Sequence, residues 1–168
     1  TLLALERATY RLADVILAPN ESYRMVAVQR GRRDPGRVYL VRSSPDLAVF
    51  RRQPPSPDLR GGAEHLVVYL GIMGPQDGVE ILVEAVGHLA GGLERNDFRV
   101  VLMGSGDALP RAKRLAADLG VADRMTFLGR VSDSDRIVSY LSTASVGVSP
   151  DPSNPFNGVP PWSPAFPP

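Results

Sequence analysis

The chain has 168 residues, 43% of them hydrophobic and 22% charged, with a formal net charge of +1 and no cysteine. That length suits one sizeable core or parts of two, and the near-zero charge excludes the strong field of a nucleic-acid binder while leaving a weak membrane-surface contact open. Without cysteine there is neither disulfide nor thiolate chemistry, which suits the cytosol, and no apolar run approaches the roughly 18 residues of a membrane span.

In chain order, "LLALERATYRLA" at 2–13 places Leu5, Ala8 and Leu12 on one helical face. "DVILAP" at 14–19 reads as a short buried strand ending at Pro19. Asn20 is a good N-cap for a helix over 21–30, and Gly31 is a natural stop. "RVYLV" at 37–41 is the next strand. Helix-strand-helix-strand is the rhythm of an α/β layer, here with only two strands, so it reads as the closing end of a larger sheet. Residues 51–63, "RRQPPSPDLRGGA", are basic, proline-rich and poor in apolar residues, and read as a linker.

After it the alternation is clear. "HLVVYLGIMG" at 65–74 carries a nearly continuous apolar strand, the kind that parallel sheets cover on both faces. Val79, Leu82, Val83, Val86 and Leu89 then follow helical spacing. "DFRVVLMG" at 97–104 is a second strand. A helix from Asp107 has Pro110 in its first turn, turns Leu109, Ala112, Leu115, Ala116 and Leu119 inward, and stops at Gly120. "RMTFLG" at 124–129 is a third strand. "SDSD" at 132–135 resembles a capping box opening a helix that buries Ile137, Tyr140 and Leu141. "SVGVSP" at 145–150 is a fourth strand. Successive β-α-β units predict half of a doubly wound parallel sheet.

Ligands of such sheets sit at the carboxyl ends of the strands. Those ends are "GIMGPQDG" at 71–78, "MGSGD" at 103–107, "GRVSD" at 129–133 and "SPDPSN" at 149–154. Glycine there lets a ligand approach the backbone, and helix-opening amides bind phosphate; glycine is equally plain turn geometry. Gly104 and Gly106 are too sparse for a dinucleotide fingerprint. Asp107 reads as a helix N-cap rather than a catalytic base. His65 and His88 stand alone, without a second imidazole at metal spacing, and read as structural or solvent-facing.

Taken together, these segments resemble a glycosyltransferase of the GT-B fold, in the large retaining family called group 1 (family 4). "VVYLGIMGPQDGVEILVEAVGHL" is similar to the first strand, donor loop and helix of that family's C-terminal domain. "FRVVLMGSGDALPRAKRLAADLGVADRMTFLGRV" is similar to the next two units, and "VGVSPDPSNPFN" to the following strand and the start of the donor-sugar loop. "ADVILAPNESYRMVAVQRG" and "RVYLVRSSPDLAVF" resemble the last helix-strand pairs of the N-terminal, acceptor-side domain. The organisation this implies is the end of an acceptor-side domain over 1–50, a linker to 65, the first half of a nucleotide-sugar domain over 66–157, and a tail over 158–168.

The resemblance implies sugar transfer from a nucleotide-sugar donor to a glycan or lipid-linked acceptor bound across an interdomain cleft. It implies no metal or other cofactor, no nucleic acid, and a cytoplasmic protein whose full-length form touches a membrane peripherally. Gly71, Gly74 and Gly78 would face the diphosphate. Gly104, Ser105 and Gly106 would lie toward ribose and diphosphate. Gly129, Arg130 and Val131 would offer backbone contacts to the base, and Asp151, Asn154 and Asn157 would approach the sugar. No catalytic residue can be named.

Two departures stand out. Many members carry an Arg just after the first-strand glycine and a Lys just before the helix-opening glycine; here those places hold Ile72 and Asp77. Phosphate would then rely on helix-terminal amides or on another cation such as Arg130. The family's E-x7-E glutamates, expected soon after Asn157, do not follow. With no initiator Met at Thr1 and the resemblance ending near Gly158, the chain is expected to be an internal fragment, inactive alone. A different nucleotide- or dinucleotide-binding enzyme and a non-enzymatic truncated domain remain the alternatives.

Gly158-Val159-Pro160-Pro161-Trp162 stands where the family commonly has Asp/Gly-Val-Ser-Thr-Met. Removing one T from GTC TCC ACC ATG G gives GTC CCA CCA TGG, which reads Val-Pro-Pro-Trp. The tail from about Pro160 is therefore expected to be a shifted reading frame, a genuine proline-rich tail being the alternative. Its prolines predict a disordered or extended stretch. Resequencing the gene checks this. Restoring one base after the Val159 codon should open a frame encoding a helix with paired glutamates; no such frame would contradict it.

Overall fold

The computed structural model describes residues 2–152, so the tail, Asn154 and Asn157 lie outside the described residues. The chain divides into two compact units, with the boundary between Asp46 and Leu47.

The first unit runs α1 (Leu2–Leu12), β1 (Ile16–Ala18), α2 (Glu21–Met25) and β2 (Val38–Leu40). β1 and β2 pair in parallel, Ile16 opposite Val38 and Ala18 opposite Leu40. α2 opens after Asn20, whose side-chain oxygen accepts from the Tyr23 amide at 3.0 Å and so satisfies one of the amides a helix start leaves open. It continues as a π-helical turn over Val26–Arg30 and stops at Gly31. The stop lies where the sequence places it, for another reason. Gly31 keeps a right-handed φ of −75°, and a Cβ there would lie 2.5 Å from the Ala27 oxygen and 2.6 Å from the Tyr10 ring. The left-handed residue that turns the chain is Arg32, at φ 53°. The core of this unit is small: Ala18, Ala27 and Val38, with Tyr10, Ile16 and Val28 against them. Leu5, Ala8 and Leu12 are exposed, and α1 buries none of its residues.

The second unit runs β3 (His65–Leu70), α3 (Val79–Gly87), β4 (Phe98–Met103), α4 (Leu109–Asp118), β5 (Met125–Gly129), α5 (Ser134–Thr143) and β6 (Val146–Gly147). Its four strands form one parallel sheet in the order β5-β4-β3-β6. The strands grow outward from β3 to one side, and then β6 returns to its other side. That places the topological switch point between β3 and β6.

Both faces of the sheet are covered, as the continuous apolar strands predict. Tyr69, Phe98, Val100 and Leu102 pack with Val79, Leu82, Val83 and Val86 of α3 and Ala112 and Ala116 of α4. Leu66, Val68, Val101 and Met103 point the other way, to Tyr140 and Ile137 of α5. The period of two along β3 and β4 thus sorts the helices to opposite faces. Leu119 and Leu141, expected inside, are 44% and 41% exposed; Leu119 is the C-cap residue of α4, and Leu141 stands off the α5 face that buries Val138, Tyr140, Ser142 and Thr143.

The stretch read as a linker is not a free tether. The Gln53 amide donates to Ser142 Oγ and the Ser56 amide to Thr143 Oγ1, each at 2.9 Å. Leu59, in the short 3-10 turn Pro57–Arg60, packs on the α5 side of the core. The two buried hydroxyls of α5 thereby find partners, as buried polar groups must. Composition hides this, since the bonding groups are backbone amides.

Leu102 is fully buried between the sheet and the α3/α4 layer. Leu102→Ala should cost about 2–5 kcal/mol. Leu141→Ala, at an exposed position, should cost about 0.5 kcal/mol or less. Urea unfolding of both variants checks the order; equal costs would contradict this placement of the core.

Candidate functional site

The carboxyl ends of β3, β4 and β5 are bound together by backbone alone. The Gly71 amide donates to the Met103 oxygen, the Met73 amide to the Ser105 oxygen, and the Ala108 amide to the Met73 oxygen, at 3.0, 3.0 and 2.9 Å. The Gly104 amide donates to the Gly129 oxygen at 2.8 Å. The ladder therefore continues beyond the strands and ties three loops into one rim. A register shift after Leu102 sets Met103 opposite Gly129, a bulge that re-aims the end of β5.

This closeness needs glycine. Gly104 has φ 146°, and a Cβ there would lie 1.8 Å from the Gly71 oxygen. A Cβ on Gly106 would lie 2.4 Å from the Met73 oxygen. The "GSG" of the β4–α4 loop thus serves first to let the β3–α3 loop lie against it. Gly71 belongs to the same contact, and Gly129 sits at its far end with φ 69°.

Gly74 and Gly78 are both buried. Asp77 folds back so that its Oδ2 accepts from the Gly74 amide at 2.7 Å. Gly78 precedes α3 with φ 66°, and a Cβ there would lie 2.0 Å from the Pro150 oxygen. The space a side chain at Gly78 would need is therefore filled by the chain leaving β6. Ile72 is exposed, so the loop presents an apolar side chain and an occupied carboxylate where a basic pair was the family pattern.

The caps of the helices divide them. Asp133 caps α5, its Oδ1 accepting from the Asp135 and Arg136 amides at 3.0 and 3.4 Å. This corrects the capping box by one residue, since Asp133 and not Ser132 holds the cap position. α3 and α4 open without any side-chain cap. Asp107, expected as the N-cap of α4, is exposed, and the cap position is Ala108, whose amide is spent on Met73. Closure of the loop onto Met73 moves the helix start one residue on. The Ser105, Gly106 and Asp107 amides donate to no acceptor among the described residues, and all three residues are exposed.

Of the remaining expected residues, Arg130 is exposed just past β5, with no ion pair among the described residues. Val131 packs on the α5 side of the core, so its side chain is structural. Asp151 is exposed after β6 and accepts from Ser149 Oγ at 2.6 Å.

Tyr69 went unnoticed in the sequence. It is buried near the end of β3, and its hydroxyl donates to the Ile72 oxygen, bracing the loop from below. Burial, then the Asp77 and Asp151 carboxylates, raise its phenol above the ordinary value of 10.0. An aromatic residue within an apolar strand gives no hint of that tie.

At the opposite end of the sheet, His65 Nε2 lies 3.7 Å from Asp97 Oδ2 and 3.8 Å from Glu64 Oε1, close enough to share an ion. Arg95, however, forks both Asp97 oxygens at 2.9 and 2.6 Å and holds that carboxyl below its ordinary value. His88 faces solvent. A cavity of about 280 Å³ lined by Phe50, Arg51, Arg52 and the end of α5 also lies away from the rim.

A family model described as glycosyl transferases group 1 matches residues 64–160. The chain belongs to that family. A glycosyltransferase of Methanocaldococcus jannaschii is 32% identical over 96 residues, covering 57% of this chain and 24% of that protein. A D-inositol 3-phosphate glycosyltransferase of Mycobacterium marinum is 32% identical over 130 residues, covering 72% of this chain and 26% of that one. Among solved structures, a Rickettsia africae glycosyltransferase superposes with a TM-score of 0.69 at 16% identity, covering 86% of this chain and 41% of its own. HepE of Anabaena, in complex with UDP and glucose, gives 0.68 at 18% identity, covering 86% and 40%. These likenesses establish the fold, a parallel α/β sheet of the GT-B glycosyltransferases. The chain spans about a quarter of these curated relatives and about two-fifths of these two solved chains.

Gly78 and Gly120 share nearly the same φ, 66° and 68°, but only Gly78 has a neighbour in the way of a Cβ. Gly120→Ala should cost about 1 kcal/mol for conformation alone. Gly78→Ala should cost a further ~1–3 kcal/mol as Pro150 is displaced. Chemical unfolding of the pair isolates that contact; equal losses would contradict it.

The raised phenol also has a pH signature. A group whose folded pKa lies above its unfolded value contributes stability that is full below the unfolded value and is lost as pH rises through the folded one. The wild type should therefore lose stability above about pH 10. Tyr69→Phe should be less stable at neutral pH by about 1 kcal/mol and lack that alkaline step. Thermal melts from pH 7 to 11 check both; an unchanged alkaline step would contradict the assignment.

Proposed function

We propose that the second unit binds the nucleotide diphosphate of a sugar donor at the rim, and that the protein transfers the sugar to a glycan or lipid-linked acceptor. The observation that carries this is the opening of α4. The amides of three exposed residues, Ser105, Gly106 and Asp107, stand without an acceptor among the described residues in a glycine loop before an uncapped helix. Uncapped helix starts present amides and a positive dipole end, a ready anion site. α3 opens uncapped beside it, joined through Met73. The family membership and the UDP, and UDP-glucose, held by HepE of Anabaena support the same ligand class.

In this reading Gly104, Ser105 and Gly106 meet the ribose and diphosphate with backbone. Gly129 and Arg130 lie toward the base, and the segment from Asp151 lies toward the sugar. Gly71, Gly74 and Gly78 shape the rim from behind. Asp77 and Asp151 supply no cation, so Arg130 is the charged group that assists the amides. The reaction proceeds without a metal cofactor. Glycoconjugate or surface-polysaccharide assembly in the cytoplasm, with peripheral membrane contact of the acceptor-side domain, fits a lipid-linked acceptor. Among the described residues no helix is long and apolar enough to cross a membrane.

Adding UDP to the 15N-labelled chain should shift the Ser105, Gly106 and Asp107 amides, while NAD leaves them in place. Arg130→Gln should weaken UDP about tenfold, the loss of one charge-assisted hydrogen bond. Shifts confined to other amides, or an equal response to NAD, would overturn the reading.

A further inference from the structure

The first unit holds a cavity of about 280 Å³ lined by Arg7, Arg11, Arg30, Gly31, Arg32 and Arg33. Five of its six lining residues are arginine. Arg7 and Arg11 stand four residues apart on α1 and so share one face. Arg30, Arg32 and Arg33 come from the end of the π-helical turn and the bend beyond it. That bend is tightly determined. Gly31 leaves no room for a Cβ against Ala27 and Tyr10, and Arg32 is held at a left-handed φ of 53°. A side chain other than glycine persists in that conformation only where its surroundings impose it.

The charges do not cancel. Glu6 forks Arg30 at 2.7 and 2.5 Å and neutralises one of the five. Arg33 Nη2 donates to the Ala13 oxygen at 2.7 Å, but its Nε is buried with no partner among the described residues. Arg7, Arg11 and Arg32 have no acidic partner among the described residues. Five guanidinium groups against one carboxylate leave four positive charges around one hollow. Guanidinium donors match the oxygens of carboxylates and phosphates in a fork geometry, and a buried donor without an acceptor is costly to keep. Such a donor set fits an anion with several oxygens.

We propose that this cavity binds a phosphate or diphosphate group, either free in solution or carried by a lipid headgroup. The overall net charge of +1 conceals it, because the acids that balance these arginines are placed elsewhere in the chain. It stands independently of the donor reading, since none of its residues belongs to the second unit.

The test follows the Gly31, Arg32 and Arg33 amides of the 15N-labelled full chain, separately from those of the rim, as inorganic pyrophosphate is added at low salt, for the wild type and for Arg7→Gln/Arg11→Gln. Both residues are exposed on α1, so the fold should survive, and circular dichroism checks that it does. The wild type should bind and the double variant should bind at least about tenfold more weakly, while Arg7→Lys/Arg11→Lys recovers part of the loss. Added salt should weaken binding in the wild type most. Co-sedimentation with vesicles of phosphatidylcholine, with and without phosphatidylglycerol, separates the sources. Pelleting that needs both the anionic lipid and the arginines assigns the group to a headgroup; pyrophosphate binding without pelleting assigns it to a free phosphate. Absence of both, or pyrophosphate binding unchanged by the double variant, overturns the site.

Discussion

The second unit depends on backbone touching backbone where three loops meet. Gly104 lies against the Gly71 carbonyl and Gly106 against Met73, with no room for a Cβ at either contact. Only at that separation can Met73 exchange hydrogen bonds with both Ser105 and Ala108. These bonds satisfy polar groups that would otherwise end the sheet unpaired. They also decide which amides remain. The Ala108 amide is consumed, and those of Ser105, Gly106 and Asp107 find no acceptor among the described residues, so the packing of the loop and the set of open amides have one cause.

The sheet beneath supplies the rigidity. Leu66 and Met103 on one face and Val100 and Leu102 on the other are almost completely buried. Tyr69 extends that support to the loop through its hydroxyl on Ile72. On the α5 side, the segment around Gln53 and Ser56 finishes the layer by donating to Ser142 and Thr143. A group held by several such bonds moves little, and a preorganised donor array needs less rearrangement when a ligand arrives.

The period of two along β3 and β4 and the 3.6-residue spacing of α3 were legible because both faces of the sheet are covered, so each apolar residue reports a contact. The resemblance across 67–157 added the family, which the match over 64–160 establishes. What stayed hidden depends on backbone or on distance. Asp107 has a capping side chain by type, yet the helix starts at Ala108 because Met73, some 35 residues earlier, takes that amide. Gly78 offers space by type, yet Pro150, some 70 residues later and just past the neighbouring strand β6, fills it. The "RRQPPSPDLRGGA" stretch has a linker's composition, yet its Gln53 and Ser56 amides are spent on α5. The arginine-lined cavity was invisible for the same reason, since Arg7 and Arg33 meet only after β1 and α2 fold between them.

The central claim is that the rim is already built in the free protein. Amide hydrogen exchange on the ligand-free chain tests it most directly. Met73, Gly104 and Ala108, although they lie in loops, should exchange as slowly as Val101 in the middle of β4, while Ser105, Gly106 and Asp107 exchange at the rate of open chain. Fast exchange at Met73 and Ala108 would mean that the loops assemble only around a ligand, and would contradict the account.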